Sequence, residues 1–297
     1  MTEIHTDGGR PTVREYRLYL IPIALFLSTP VILHKVFSGE IILKPYIFKV
    51  GSFDLRWYAI LIIAGFLIGA RLVYKRAPYY GLSSRDIDQL LILGYIAGLI
   101  GARLYYVTFT WDYYSQKPWE IIAFWHGGLA IHGVWIGALL TAIIFVKVKR
   151  LSFFKVADLF AVAFPIAQSI GRWGNFFNYE AFGTPTDLPW KLFIPRGARP
   201  LAYKNFSYFH PTFLYESAWD LFVFIYLWHL EKKNPPSGML FLRYLMLYSI
   251  GRFFIEFIRT DSLYWGSIRV AQLISIIAIG VAIYLERTLK KSLNSQS

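Results

Sequence analysis

Residues 128–148 read GLAIHGVWIGALLTAIIFVKV, and this stretch decides the class of fold. It holds one histidine and, near its end, one lysine, while every other side chain is apolar, small or a threonine. Roughly 20 mainly apolar residues are enough for an α-helix to cross the hydrocarbon core of a bilayer. Lys147, Lys149 and Arg150 stand where the apolar run stops. The stretch therefore predicts a membrane-spanning helix with a cationic end.

The same pattern recurs along the chain, so we predict an all-α fold, a polytopic bundle of membrane helices. Most connections between the apolar stretches are short. The exception, about 173–210, is rich in proline, aromatic and charged residues, and we expect an ordered extracytoplasmic cap there. The predicted spans are about 18–34, 55–74, 87–107, 128–148, 156–172, 211–230, 238–258 and 267–286.

Composition excludes several other classes of protein. Of 297 residues, 56% are hydrophobic, 19% aromatic and only 16% charged, which is too apolar for a soluble domain or a disordered chain. The chain has no cysteine, which excludes a disulfide scaffold, a cysteine nucleophile and a thiolate-bound metal. The net charge of +13 lies between apolar runs, so it indicates cationic flanks of spans rather than a nucleic-acid-binding face.

The first predicted span, 18–34, is the weakest, because it is short and contains Pro22 and Pro30. Three arginines precede it, and we interpret it as an uncleaved anchor; a cleaved signal peptide is the alternative, although no clear small-x-small site follows. With the N-terminus in the cytoplasm, cation pairs such as Lys232-Lys233 lie at cytoplasmic helix ends, as the positive-inside rule expects.

Ionisable residues within or beside the spans are candidates for function, because burying a charge in a membrane is costly. All of them fall towards the helix ends that we place outside the cytoplasm. We expect them to converge on one cavity that opens to the outer leaflet. They are Arg103, His132, Arg172, Glu180, Glu216, Arg252 and Glu256.

Residues 171–183, GRWGNFFNYEAFG, close one apolar span with an arginine, two asparagines and a glutamate. Arginine suits two-point binding of a phosphate group, and glycine lets the backbone approach a ligand closely. The alternative is a polar helix end that satisfies its own carbonyl groups. This stretch is the most informative of the chain for function.

Two further patterns point to the same chemistry. Tyr248, Arg252 and Glu256 follow i, i+4, i+8 and share one helix face, although Arg252 and Glu256 could simply pair to permit burial. His132 is suited to moving a proton near neutral pH, with a hydrogen bond between helices as an equally weighted alternative. The sequence shows no metal motif and no nucleotide-binding glycine loop, so we predict no cofactor and no ATP-driven chemistry.

At these residues the sequence resembles the prolipoprotein diacylglyceryl transferase family. Residues 171–183 fit that family's signature, Gly-Arg-x-Gly-Asn-Phe-x-Asn-x-Glu-x-x-Gly, at every fixed position. The resemblance covers about 40–290. Further family-like blocks occur in family order: Leu55-Arg56-Trp57-Tyr58, Gly101-Ala102-Arg103, Ile131-His132-Gly133, His210 to Glu216, and Gly251-Arg252-Phe253 with Glu256 and Arg259.

The resemblance implies an inner-membrane enzyme that moves the sn-1,2-diacylglyceryl group of phosphatidylglycerol to the lipobox cysteine of preprolipoproteins. A thioether forms and glycerol phosphate leaves, in the first step of bacterial lipoprotein maturation. It implies seven spans over 38–297, so we expect residues 1–37 to be an N-terminal extension with an extra anchor. The expected partners are phosphatidylglycerol, the lipobox region of the protein substrate and membrane lipids, with no nucleic acid, and we expect a monomer.

The same resemblance implies roles for individual residues. His132, Arg172 and Arg252 match catalytic residues, with Arg172 also binding substrate. The chain departs from the family at Val134 and Trp135, beside His132, where glycine and leucine are usual. A lipid or anion transporter is the competing class, because it also needs charges within the membrane. By the family resemblance, the other substrate-binding residues are Tyr58, Arg103, Asn175, Glu180, Gly183, Tyr248 and Glu256. His210 and Glu216 also match residues of the family.

Overall fold

The computed structural model describes residues 29–51 and 53–294, and nearly all of their regular structure is helical. Long apolar runs form these helices, which satisfy most of their backbone groups internally as a membrane requires. The helices are α1 (29–38), α2 (Trp57–Arg76), α3 (Ser84–Phe109), the single turn α4 (Trp111–Tyr114), α5 (Ile131–Val148), α6 (Phe153–Asn178), α7 (Thr212–Glu231), α8 (Met239–Glu256) and α9 (Val270–Asn294).

Three short antiparallel hairpins connect helix ends in the described part of the chain. The first joins β1 (Tyr46–Val50) to β2 (Phe53–Arg56), the second β3 (Leu192–Phe193) to β4 (Tyr208–Phe209), and the third β5 (Tyr264–Trp265) to β6 (Ile268–Arg269). The first hairpin directly precedes α2, the second lies between α6 and α7, and the third lies between α8 and α9. Because these helices alternate in direction, the hairpins share one end of the bundle.

Within residues 29–51 and 53–294, five helices are long and apolar enough to cross a membrane, so the chain is a polytopic helical membrane protein. These segments are Trp57–Tyr80, Ser84–Phe109, Ile131–Val148, Phe153–Asn178 and Val270–Lys291. Two more predicted spans, α7 and α8, form helices of 20 and 18 residues but are not among these five. The predicted span 18–34 is helical from residue 29, and its earlier part lies outside the described residues.

Glycines bring the helices into close contact, as small residues commonly do between membrane helices. A Cβ atom at Gly133 would overlap the carbonyl oxygen of Gly101, so α3 and α5 touch backbone to backbone there. A Cβ atom at Gly65 would lie 2.7 Å from the carbonyl oxygen of Ala167, which joins α2 to α6 in the same way. A Cβ atom at Gly94, by contrast, would meet no atom of the described residues within 4 Å.

The segment between α6 and α7 folds around its own apolar core. Phe182, Leu192, Ile194 and Phe209 are buried there and pack against Phe213 at the start of α7. This core fastens the end of α6 to the start of α7, where the candidate site lies.

Candidate active site

Glu216, on the first turns of α7, binds three arginines from other parts of the chain. Only 5% of this residue is exposed. Its Oε2 lies 2.6 Å from Nη2 of Arg172, while its Oε1 lies 2.6 Å from Nη1 of Arg259 and 3.4 Å from Nη1 of Arg252. The arginines come from α6, the segment after α8, and α8. One buried carboxylate therefore contacts three guanidinium groups from separate segments of the chain.

Two more carboxylates balance this charge. Nη2 of Arg252 lies 2.6 Å from Oε2 of Glu256, which is 1% exposed, and Nη2 of Arg259 lies 2.7 Å from Asp261. The pairing of Arg252 with Glu256, which the sequence left open as an alternative to a functional role, is therefore present. Buried charges persist when they are paired in this way.

Arg172 and Arg252 both line a small cavity beside these ion pairs. Its volume is about 10 Å³, room for roughly one water molecule. Tyr248 lines the same cavity, which confirms that its spacing from Arg252 places both on one side of α8. The lining also includes Glu216, Trp219, Asp220, Gly251 and Ile255. Two guanidinium groups and two carboxylates, those of Glu216 and Asp220, therefore line this one cavity.

Asp220 belongs to this site, and sequence reasoning missed it. It is 3% exposed, and its Oδ2 has no hydrogen-bond partner among the described residues. Its spacing in the sequence could have indicated it, because Glu216 and Asp220 are four residues apart in an apolar helix and therefore share a face. The sequence indicated Arg259 only as part of a family-like block, because this residue lies beyond the end of α8.

Gly183 lies in a frame of backbone hydrogen bonds that holds the site together. Its N–H donates to the carbonyl of His210 over 2.9 Å, and the N–H of Thr184 donates to the carbonyl of Ile258 over 2.7 Å. Gly183 also forms an isolated bridge with Arg259. The frame joins the residues after α6, before α7 and after α8.

His210 lies beside this frame. Its Nδ1 is 3.2 Å from the hydroxyl oxygen of Tyr215, and burial lowers the pKa of the imidazole below its usual value. The neutral form of His210 is therefore favoured near pH 7. Its backbone carbonyl, which accepts from Gly183, ties it to the site.

Asn175 and Glu180 form a separate polar cluster at the end of α6. The side-chain amides of Asn175 and Asn178 donate to Oε1 of Glu180 over 2.9 and 3.3 Å. Tyr58 contacts α6 beside them, because a Cβ atom at Gly174 would lie 2.7 Å from Cδ2 of Tyr58. Glu180 is exposed, unlike Glu216.

His132 is the second residue of α5, and its ring stacks on Tyr105 with centroids 5.5 Å apart. Its side chain is exposed and makes no hydrogen bond or ion pair with the part of the chain that the structure describes. The contacts of the structure thus do not join His132 to the arginine cluster. Both ring nitrogens stay available.

Arg103 has a different environment from the other arginines. It is 6% exposed, and its guanidinium carbon lies 5.0 Å from the ring centroid of Tyr114. Its donors bind backbone carbonyls of the segment that precedes α5, namely those of Glu120, Ile121, Ala123, Gly127 and Gly128. Arg103 therefore fastens α3 to the chain that leads into His132.

The structure thus defines a polytopic helical membrane protein with paired arginines and carboxylates buried beside a cavity. The family model described as prolipoprotein diacylglyceryl transferase matches residues 45–286. The chain belongs to this family and is a transferase, which confirms the resemblance drawn from its motifs.

Relatives in several bacteria support the assignment. A phosphatidylglycerol–prolipoprotein diacylglyceryl transferase of Thermotoga petrophila is 52% identical over 265 residues, covering 88% of each chain. The protein of that name in Fervidobacterium nodosum is 50% identical, covering 83% of this chain and 85% of its own. The one in Acaryochloris marina is 52% identical, covering 80% and 87%.

Proposed function

We propose that the chain transfers the sn-1,2-diacylglyceryl group of phosphatidylglycerol to the lipobox cysteine thiol of a preprolipoprotein. The sulfur attacks the glyceryl carbon and loses its proton. The bond from that carbon to the phosphate oxygen breaks, and glycerol phosphate leaves with the electron pair. The observation that carries this proposal is the pair of guanidinium groups, Arg172 and Arg252, beside one cavity.

In this proposal the arginines stabilise the charge that develops on the leaving phosphate. Fixed cations in a site of low dielectric constant stabilise such charge more strongly than water does. Glu216 and Glu256 hold the guanidinium groups in place before substrate binds. Tyr248, with a hydroxyl on the same side of α8, is suited to orient the headgroup.

The thiol must also lose a proton, since a free cysteine has a pKa near 8.5 and is mostly protonated at neutral pH. We assign this step to His132, whose ring nitrogens have no hydrogen-bond partner among the described residues. Glu180 is the alternative base, held by two amide donors. Tyr58, Arg103, Asn175, Gly183 and Glu256 complete the proposed substrate-binding set.

The proposed topology has seven spans over 38–297 and an extra anchor within 1–37, in the bacterial inner membrane. The arginine cluster and the 173–210 cap face the extracytoplasmic side, and the enzyme is a monomer. Cation clusters at the other helix ends, such as Lys147, Lys149 and Arg150, support this orientation.

To test the phosphate-binding role, Arg172→Ala and Arg252→Ala are reconstituted with labelled phosphatidylglycerol and a lipobox peptide. Each should lower the rate of glycerol phosphate release by about 100-fold or more, the cost of removing one preorganised charge stabiliser. Arg196→Ala, at an exposed arginine of the 173–210 segment, is the matched control and should keep the rate. Full transfer by both site variants would disprove the proposed role.

The base is tested by the pH profile of His132→Gln. Because the imidazole would accept the thiol proton, the variant should lose about 100-fold in rate at neutral pH and recover as rising pH ionises the thiol. A wild-type rate with an unchanged pH profile would remove His132 as the base. A parallel loss in Glu180→Gln alone would move the assignment to Glu180.

A further inference from the structure

A second cavity lies at the opposite end of the bundle from the arginine cluster. It has a volume of about 590 Å³ and is formed by the end of α2, the start of α6, the end of α7 and the turn before α8. Lys155 and Arg172 are 17 residues apart on α6, which separates the two sites by roughly 25 Å at 1.5 Å per residue. The second cavity is thus distinct from the proposed active site.

Both carboxylates of this cavity are occupied by partners within the protein. Glu231 accepts a hydrogen bond from Nε of Arg76 over 2.9 Å and from the hydroxyl of Tyr80 over 2.7 Å. Asp158 accepts from the backbone N–H groups of Gly238 and Phe241 over 2.5 and 2.7 Å. These carboxylates and Arg76 form a closed polar floor.

Three lysines of the cavity have no such partner. Lys75, Lys155 and Lys232 are exposed, line the cavity and make no ion pair with the described residues. The Oγ of Ser237, also in the lining, is buried and has no hydrogen-bond partner there. The cavity therefore presents unneutralised positive charge and a free hydroxyl group.

We propose that this cavity binds the phosphate of an anionic lipid headgroup in the leaflet opposite the active site. Basic pockets between the ends of membrane helices suit such headgroups, and the volume falls in the usual range for small ligands. Tyr79 and Trp228 also line it, and Tyr79 is 87% exposed, an aromatic placement typical of the membrane interface. The lysines bind the phosphate, while the acyl chains extend along the outside of the bundle.

The test counts cardiolipin bound to the purified full-length protein in detergent by native mass spectrometry. The cavity variant is Lys75→Gln/Lys155→Gln/Lys232→Gln. Its matched control is Lys147→Gln/Arg150→Gln/Lys233→Gln, which removes the same charge at the same end of the bundle but outside the cavity. Arg172 and Arg252 are unchanged in both, so lipid bound near them affects both variants equally.

We expect the cavity variant to bind one cardiolipin fewer, with affinity for that lipid lowered about tenfold or more, because each lysine near an anionic headgroup contributes. The control variant should bind as the wild type does. Unchanged binding by the cavity variant, or an equal loss in the control, would overturn the proposal. Displacement of the lipid by free glycerol phosphate would overturn the lipid assignment in favour of a soluble phosphate. Similar melting temperatures of the lipid-free variants establish that they fold.

Discussion

Gly183 shows how the size of a single side chain can limit the packing of the site. It does not need a positive φ angle, which L-residues rarely adopt, since the glycines with positive φ are others. What it needs is space: a Cβ atom would lie 2.7 Å from Cβ of His210 and 2.9 Å from the carbonyl oxygen of Ile258. The glycine is required because three backbone segments meet there.

We therefore predict that Gly183→Ala displaces the frame and costs about 1–3 kcal/mol of stability, the usual range for overpacking. Transfer should fall by at least about tenfold, because the frame positions Arg259. Thermal unfolding and the transfer assay measure the two effects. Gly197→Ala is the control, since a Cβ atom at Gly197 meets nothing within 4 Å. Equal behaviour of the two variants would contradict the steric explanation.

Residue spacing predicted part of the site correctly. Tyr248 and Arg252 line one cavity, and Arg252 pairs with Glu256, as their helical spacing indicates. Spacing could not show that Glu216 binds arginines 44, 36 and 43 residues away, since such contacts depend on how helices pack.

Among the elements, α7 carries one carboxylate–arginine group near each end. Glu216 binds the three arginines near its start, and Glu231 binds Arg76 at its end. The charges at the start of α7 contribute to the proposed site, whereas those at its end form the floor of the second cavity.

We predict different outcomes for the two glutamates of α7. Glu216→Gln leaves buried arginines without their counter-charge, which costs about 3–5 kcal/mol and should lower transfer about 100-fold or more. Glu231→Gln should lose stability but keep transfer when assayed below its melting temperature. Unfolding and glycerol phosphate release are measured for both. Equal loss of transfer would mean that Glu216 acts only through the fold.

For the whole molecule, the net charge of +13 contains two kinds of cation. Most lie at helix ends, where they favour an orientation of the bundle. A few, including Arg172, Arg252 and Arg259, are paired with buried carboxylates and contribute little to orientation.

Orientation can be tested directly, because the chain has no cysteine and labelling has no background. Lys204→Cys, in the 173–210 segment, should react with a membrane-impermeant maleimide only in right-side-out vesicles. Lys233→Cys, at the end of α7, should react only in inside-out vesicles. Labelling of both positions from the same side would contradict the proposed topology.

The sequence by itself determined the class of fold and the family. Apolar length predicts membrane helices because a bilayer admits only backbones that satisfy their own hydrogen bonds, and the ordered motif blocks identify the family. Tertiary structure decided which charged residues meet. It placed Glu216, Asp220 and Arg259 with Arg172 and Arg252, and gave Arg103 a set of backbone carbonyls instead. Side-chain partners far apart in the chain follow from helix packing, which no local pattern of residues contains.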